Sequence, residues 1–215
     1  MIRENIKKLL SEIESDVTLV AVSKTKPNED LMEAYESGQR DFGENKIQEM
    51  TQKYEALPKD IRWHMIGHVQ RNKVKYMAKF VHLVHAVDSL KLFKEINKRA
   101  KNEDRVIQVL LQLKIAEEDS KFGLTKEDLL SILEQSKSGN YDHVKIVGLM
   151  GMATFTEDED QINREFSTLE KLYFELKDEY NFTTLSMGMS GDYPIALKHQ
   201  SNMIRVGSKI FGARN

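Results

Sequence analysis

Apolar residues recur along the chain in two alternating patterns. Ile2, Ile6, Leu9, Leu10 and Ile13 fall at helical spacing, so the chain opens with an amphipathic helix ending near Ser15-Asp16. Val17-Thr-Leu-Val-Ala-Val-Ser23 follows, β-branched and apolar at both parities, as in a parallel strand covered on both faces. Lys24-Thr-Lys-Pro27 stops it. From Asn28 to Ser37 the pattern is helical again, Gly38 supplies the stop, and a short strand runs from Arg40 to Gly43.

The alternation then repeats. Strand patterns lie near residues 62–66, 83–87, 106–114, 144–150, 184–187 and 203–206. Helical patterns lie near 46–56, 71–79, 89–101, 126–136 and 159–180, with a short one after Gly191. Strict β–α alternation with no strand-only region predicts an α/β parallel sheet, either open and doubly wound or closed as a barrel. Eight strands favour a (β/α)8 barrel of TIM type, with an extra helix ahead of the first strand. No Pro/Gly/Ser-rich linker interrupts the chain, so a single domain over residues 1–215 is expected.

Composition narrows the function classes. Of 215 residues 40% are hydrophobic and 31% charged, with 3 Pro and 11 Gly, which argues for a folded globular protein. Lys and Arg total 32 against 34 Asp and Glu, a net charge of −2, which removes the basic excess of general nucleic-acid binders. Arg71, Lys73, Lys75 and Lys79 form one basic helix face, but Val74, Met77 and Phe80 interleave as an ordinary core stripe, so a solvated face is the better reading. The acidic run Glu157-Asp-Glu-Asp160 opens the longest helix, where it complements the dipole. Cys is absent, which excludes disulfides, iron–sulfur clusters and thiol catalysis and fits a reducing compartment. Residues 1–15 lack the apolar stretch of a secretory signal, and no apolar run nears the roughly 18 residues of a membrane helix. A soluble cytoplasmic protein is expected.

In either parallel architecture, functional groups gather where strands end. Lys24 directly follows an apolar strand. Desolvation there would lower its pKa and leave an amine able to attack an aldehyde, although a surface lysine at a strand end remains open. Lys26, beside Pro27, is the weaker candidate. Ser186-Met-Gly-Met-Ser-Gly-Asp192 and Arg205-Val-Gly-Ser-Lys209 both follow late strands, where such barrels often hold phosphate. Ser190, Gly207 and Ser208 suit that task through close backbone approach and hydroxyl or N–H donors, while ordinary turns use the same residues. Arg205 lies inside a strand pattern and needs an anion, a strong acceptor or an interior carboxylate partner. His64 and His68 sit near another strand end. With no HExxH motif and no Cys, no metal site is expected. The residues alone suggest an aldehyde-phosphate site.

The motifs Ala21-Val-Ser-Lys-Thr-Lys-Pro27, Phe42-Gly-Glu-Asn45 and Trp63-His-Met-Ile-Gly67 with Gln70, Asn72 and Lys73 keep their order and spacing with Gly148-Leu-Met-Gly-Met152, Ser186–Asp192 and Arg205-Val-Gly-Ser-Lys-Ile-Phe-Gly212. Together they resemble the pyridoxal phosphate homeostasis protein family, which is similar to the barrel domain of alanine racemase without its second β domain. The resemblance implies that Lys24 is the Schiff-base lysine for pyridoxal 5′-phosphate (PLP). It further implies that Ser190, Gly207 and Ser208 hold the phosphate, that Arg205 faces the pyridine nitrogen, and that Asn45, His64 and Met150 line the ring. The chain departs from the family pattern at Pro194, Gln200 and Asn202.

Three functions follow as expectations. The first is a PLP-binding protein of intracellular vitamin B6 homeostasis, buffering the cofactor or delivering it to apo PLP-dependent enzymes, monomeric and without demonstrable turnover. The second is a fold-type III racemase or decarboxylase using the same Lys24. The third is a barrel for another phosphorylated metabolite, with Lys24 as a simple cation. Turnover in this architecture calls for a second acid–base group, generally Tyr, and a further domain closing the site. No Tyr falls in a motif suited to that role, and the chain ends at Asn215, shortly after the eighth strand, so binding is favoured.

Overall fold

The computed structural model describes residues 1–117 and 122–212. Helix α1 (Ile2–Glu12) precedes β1 (Thr18–Val22), α2 (Asn28–Glu36), β2 (Asp41–Glu44), α3 (Ile47–Ala56) and β3 (Arg62–Met65). A 3-10 turn (Arg71–Lys73) leads into α4 (Val74–Met77), β4 (Leu83–Val87), α5 (Leu90–Asn102) and β5 (Ile107–Gln112). The chain continues through α6 (Lys126–Ser136), β6 (Val144–Met150), α7 (Glu159–Tyr180), β7 (Thr184–Met189), α8 (Tyr193–Lys198), β8 (Met203–Val206) and α9 (Ser208–Phe211). The strands close in sequence order into an eight-stranded parallel barrel, β1 pairing with β8 from Thr18↔Met203 to Ala21↔Val206. The expected TIM-type barrel with its extra leading helix is therefore the fold.

The two parities of each strand serve two cores. Leu19 and Ala21, Phe42, Trp63 and Met65, Leu185 and Met187, Ile204 and Val206 face the helical layer. A second cluster drawn only from strand residues, including Val20, Leu83, Leu110, Val147, Met150 and Met203, fills the barrel interior. Helix starts are fixed locally. The hydroxyls of Ser89 and Thr125 and the carboxylate of Asp158 accept N–H groups of the first turns of α5, α6 and α7.

Some boundaries differ from the periodicity. Helix α1 stops at Glu12, because Ile13 already has extended backbone and the chain turns toward β1. The 71–79 stretch is a 3-10 turn followed by one short α-helical turn. Strand β5 gives way after Gln112, where Leu113 bridges Leu124. Strand β7 runs on to Met189 through an irregular register in which Gly188 takes φ +99°; the Cβ of any other residue would lie 2.7 Å from that of Ala196.

Candidate functional site

The C-terminal ends of the strands surround a cavity of about 750 Å³. Lys24 reaches it as the second residue after β1, half-buried, continuing the inward parity of Val20 and Val22. Its neighbours hold the turn rigidly. Ser23 Oγ donates to Glu44 Oε1 at 2.6 Å, Lys53 Nζ donates to the Ser23 carbonyl at 2.8 Å, and the Thr25 N–H donates to Glu49 Oε1 at 2.6 Å. Thr25 takes φ +64°, a strained choice for a β-branched residue that the surrounding contacts must sustain. Lys26 also lines the cavity and donates to the Phe211 carbonyl at 3.0 Å.

Beside Lys24, the ends of β8, which pairs with β1, and of β7 form a cup. Met189, Ser190, Gly191 and Asp192 line it from one loop, and Gly207, Ser208 and Lys209 from the next. Ser190 Oγ accepts the Gly207 N–H at 3.1 Å, tying the loops together. Gly207 must be small. A Cβ there would approach the Val22 carbonyl oxygen to 3.2 Å and Val22 Cβ to 3.3 Å. Helices α8 and α9 both begin at this cup, with Asp192 and Gly207 as their N-caps, so first-turn amides without intrahelical acceptors gather there. Among the described residues, the cavity is lined by the basic side chains of Lys24, Lys26, Arg205 and Lys209 and by the carboxylate of Asp192, which accepts the Met189 N–H at 2.6 Å. The balance suits an anion.

Arg205 forms part of the floor, only 3% exposed. Its guanidinium donates to Ser186 Oγ at 2.5 Å and to the Gly151 carbonyl at 3.0 Å, both neutral acceptors. Burial pulls its pKa down to about 10 while Asp192 works in the opposite direction, so it stays protonated at neutral pH. Its hydrogen bonds go to a hydroxyl and a carbonyl, and Asp192 is the carboxylate whose charge reaches it.

The structure thus brings Lys24, Asn45, Ser190, Arg205, Gly207 and Ser208 to one cavity. His64 and Met150 are not in its wall. Both are fully buried one layer below, His64 hydrogen-bonded to Asp41 and His85 and Met150 packed in the interior cluster. Met152 and Gln112 line the cavity in that region instead. Ser186 and His85, which support Arg205, were not singled out by the sequence. Their signal is the one Arg205 gave, a polar residue at an inward position of an otherwise apolar strand.

None of the departures from the family pattern is in the cavity lining, but Pro194 takes one N–H away from the first turn of α8. Gln200 takes φ +61°, Asn202 braces the strand edge through Leu185 N–H and the Thr183 carbonyl, and Pro194 sits in the first turn of α8. At the opposite mouth, nitrogen and oxygen atoms of Asp41, His64 and His82 lie within 4.8 Å of one another. Arg62 bonds both oxygens of Asp41, at 2.8 and 2.6 Å, and His85 engages Nδ1 of His64, so Asp41 and His64 are already committed.

Known proteins resemble this chain in sequence and fold. The family described as alanine racemase, N-terminal domain, matches residues 1–215. A pyridoxal phosphate homeostasis protein of Aquifex aeolicus is 38% identical over 204 residues, covering 94% of this chain and 89% of its own. One of Schizosaccharomyces pombe is 37% identical over 203 residues, 93% and 85% of the two chains. The structure of PipY from Synechococcus elongatus with PLP bound superposes with a TM-score of 0.90 at 33% identity, over 99% of this chain and 100% of that one. Alanine racemase of Clostridium difficile shares the fold at 15% identity, with a TM-score of 0.80 over 99% of this chain and 56% of its own. The chain therefore belongs to the alanine racemase N-terminal domain family and, within it, to the pyridoxal phosphate homeostasis proteins.

Proposed function

We propose that the chain binds PLP in this cavity and acts in intracellular vitamin B6 homeostasis, holding the cofactor on Lys24 and buffering it or delivering it to apo enzymes. The observation that carries the reading is a strand-end amine and an anion cup lining one cavity on neighbouring strands, with a buried guanidinium in its floor. When bound, PLP supplies an aldehyde that condenses with a primary amine and a conjugated ring that accepts electron density. Lys24 offers the amine. The Ser190 and Ser208 hydroxyls and the amides around Gly207 offer donors to a phosphate. Arg205 can only donate, so it holds an acceptor on the ring without giving it a proton, which weakens the ring as an electron sink.

Carriage is favoured over turnover because, among the described residues, no tyrosine lines the cavity to act as a second acid–base group. No helix among the described residues is long and apolar enough to cross a membrane. A cytoplasmic, single-domain monomer is the form in which the proposed carrier would act.

Titration with PLP tests the reading. The wild type gains a visible absorption band, whereas Lys24→Ala gains none yet still binds the cofactor in competition with inorganic phosphate. The same spectrum in both proteins, or efficient racemisation or decarboxylation of amino acids, contradicts it.

A further inference from the structure

Below the cavity floor, five strands contribute a file of polar side chains to an otherwise apolar interior. Asp41 of β2 lies at the N-terminal mouth and Arg205 of β8 at the site. Asp41 Oδ1 meets His64 Nε2 at 2.9 Å, His64 Nδ1 meets His85 Nε2 at 2.9 Å, His85 Nδ1 meets Ser186 Oγ at 3.2 Å, and Ser186 Oγ meets Arg205 at 2.5 Å. His64, His85 and Ser186 have no exposed surface. Apolar side chains would fill these positions at less desolvation cost, so the file calls for a role beyond packing.

Proton counting gives the file one polarity. Burial works against ionisation of Asp41, but hydrogen bonds from Arg62 and His64 hold its carboxyl well below the ordinary range, so it only accepts. His64 Nε2 therefore carries hydrogen. Burial, reinforced by neighbouring positive charge, holds His85 far below the usual imidazole value, so His85 is neutral. With His64 neutral, its Nδ1 accepts from His85 Nε2–H, His85 Nδ1 accepts the Ser186 hydroxyl, and Ser186 Oγ accepts from Arg205. Every group is then satisfied. A doubly protonated His64 would turn His85 Nδ1–H and Arg205 together onto Ser186 and leave the serine hydrogen with no acceptor in the file.

We propose that Asp41, His64, His85 and Ser186 form a one-way hydrogen-bond relay that positions and polarises Arg205 from the opposite mouth of the barrel. The four are positioning residues, and the benefit to the ligand rests on the reading of Arg205 as the group facing the PLP ring. The relay itself is a property of the ligand-free protein.

Long-range 15N–1H correlation on the 15N-histidine-labelled full chain, without ligand and at neutral pH, tests it. His64 and His85 are expected as Nε2-protonated tautomers with bare Nδ1; Nδ1 protonation of either ring overturns the relay. Asp41→Asn, which keeps the shape but removes the charge, is expected to introduce the second tautomer at both rings. Unchanged tautomers in that variant would mean Asp41 does not set the polarity. Bound PLP supplies the second readout. In Asp41→Asn and His85→Phe its visible band shifts, while borohydride reduction still leaves a pyridoxyl group on the Lys24 peptide. An unshifted band refutes coupling to Arg205. A wild-type protein that forms no Lys24 adduct refutes the PLP reading instead, and the ligand-free tautomers still decide the relay.

Discussion

Replacing Lys53 by Met opens the buried ion cluster behind Lys24. Lys53 Nζ, on a side chain 7% exposed, donates to Glu44 Oε1 at 2.8 Å, to Glu49 Oε1 at 2.7 Å and to the Ser23 carbonyl. Glu44 is wholly buried, and its Oε2 has no hydrogen-bond partner among the described residues. Burial already raises the Glu44 carboxyl above its ordinary value despite Lys53 and Ser23. Without the ammonium, the charge is uncompensated, a loss of about 3–5 kcal/mol in comparable buried pairs. Glu44 has an escape, which is to take a proton. That costs about 1.4 kcal/mol for each pH unit above an unfolded pKa of about 4.3, so the charge penalty is capped at about 3.8 kcal/mol at pH 7 and about 1 kcal/mol at pH 5. The sign follows from linkage. With the folded carboxyl raised, the native state keeps a proton the unfolded chain has lost, so stability falls as pH rises through that window. Urea unfolding of wild type and Lys53→Met at both pH values reads the difference. A deficit of about 4 kcal/mol at pH 7 that shrinks by about half or more at pH 5, and largely recovers in Lys53→Met/Glu44→Gln, is expected. An equal deficit at both pH values, or a double variant no better than the single one, refutes the reasoning.

Gly207→Ala leaves φ −117° accessible but forces the β8 loop a few tenths of an ångström off Val22. It lowers affinity for inorganic phosphate several-fold, measured by competition with PLP, at about 1 kcal/mol of stability; unchanged phosphate affinity would remove the loop from the anion cup. The Asp41 carboxyl, held low by Arg62 and His64 against the pull of burial, contributes stability that is present above about pH 4 and lost as pH falls toward its folded value. Acid unfolding followed by circular dichroism is therefore expected to have a shallower low-pH limb in Asp41→Asn, and an identical limb would contradict that assignment.

Much of this was legible in the chain because strand and helix signals agreed. β4, β6 and β8 are short apolar runs bounded by polar or turn residues, and α6 and α7 start at capping side chains; their ranges emerge at both ends as the pattern predicts. Helix α9 escaped notice because four residues hold too little periodicity. Within the site, strand-end logic brought Lys24, Arg205 and the two Gly–Ser loops to one face. The resemblance to the family put His64 and Met150 beside the ring, whereas both lie one layer below the cavity wall. Parity tells which side of a strand a residue faces, whereas its layer in the barrel depends on stagger between strands, and the register shifts in β5–β6 and β7–β8 cannot be read from one strand alone. The polar file escaped for a related reason. His85 and Ser186 are 101 residues apart and meet only because the barrel closes.

The central claim is tested most directly by incubating the protein with PLP, reducing with borohydride and mapping the modified lysine by peptide mass spectrometry, with and without excess inorganic phosphate. The account predicts a single pyridoxyl group on Lys24, suppressed by phosphate; modification scattered over surface lysines, or none at Lys24, contradicts it.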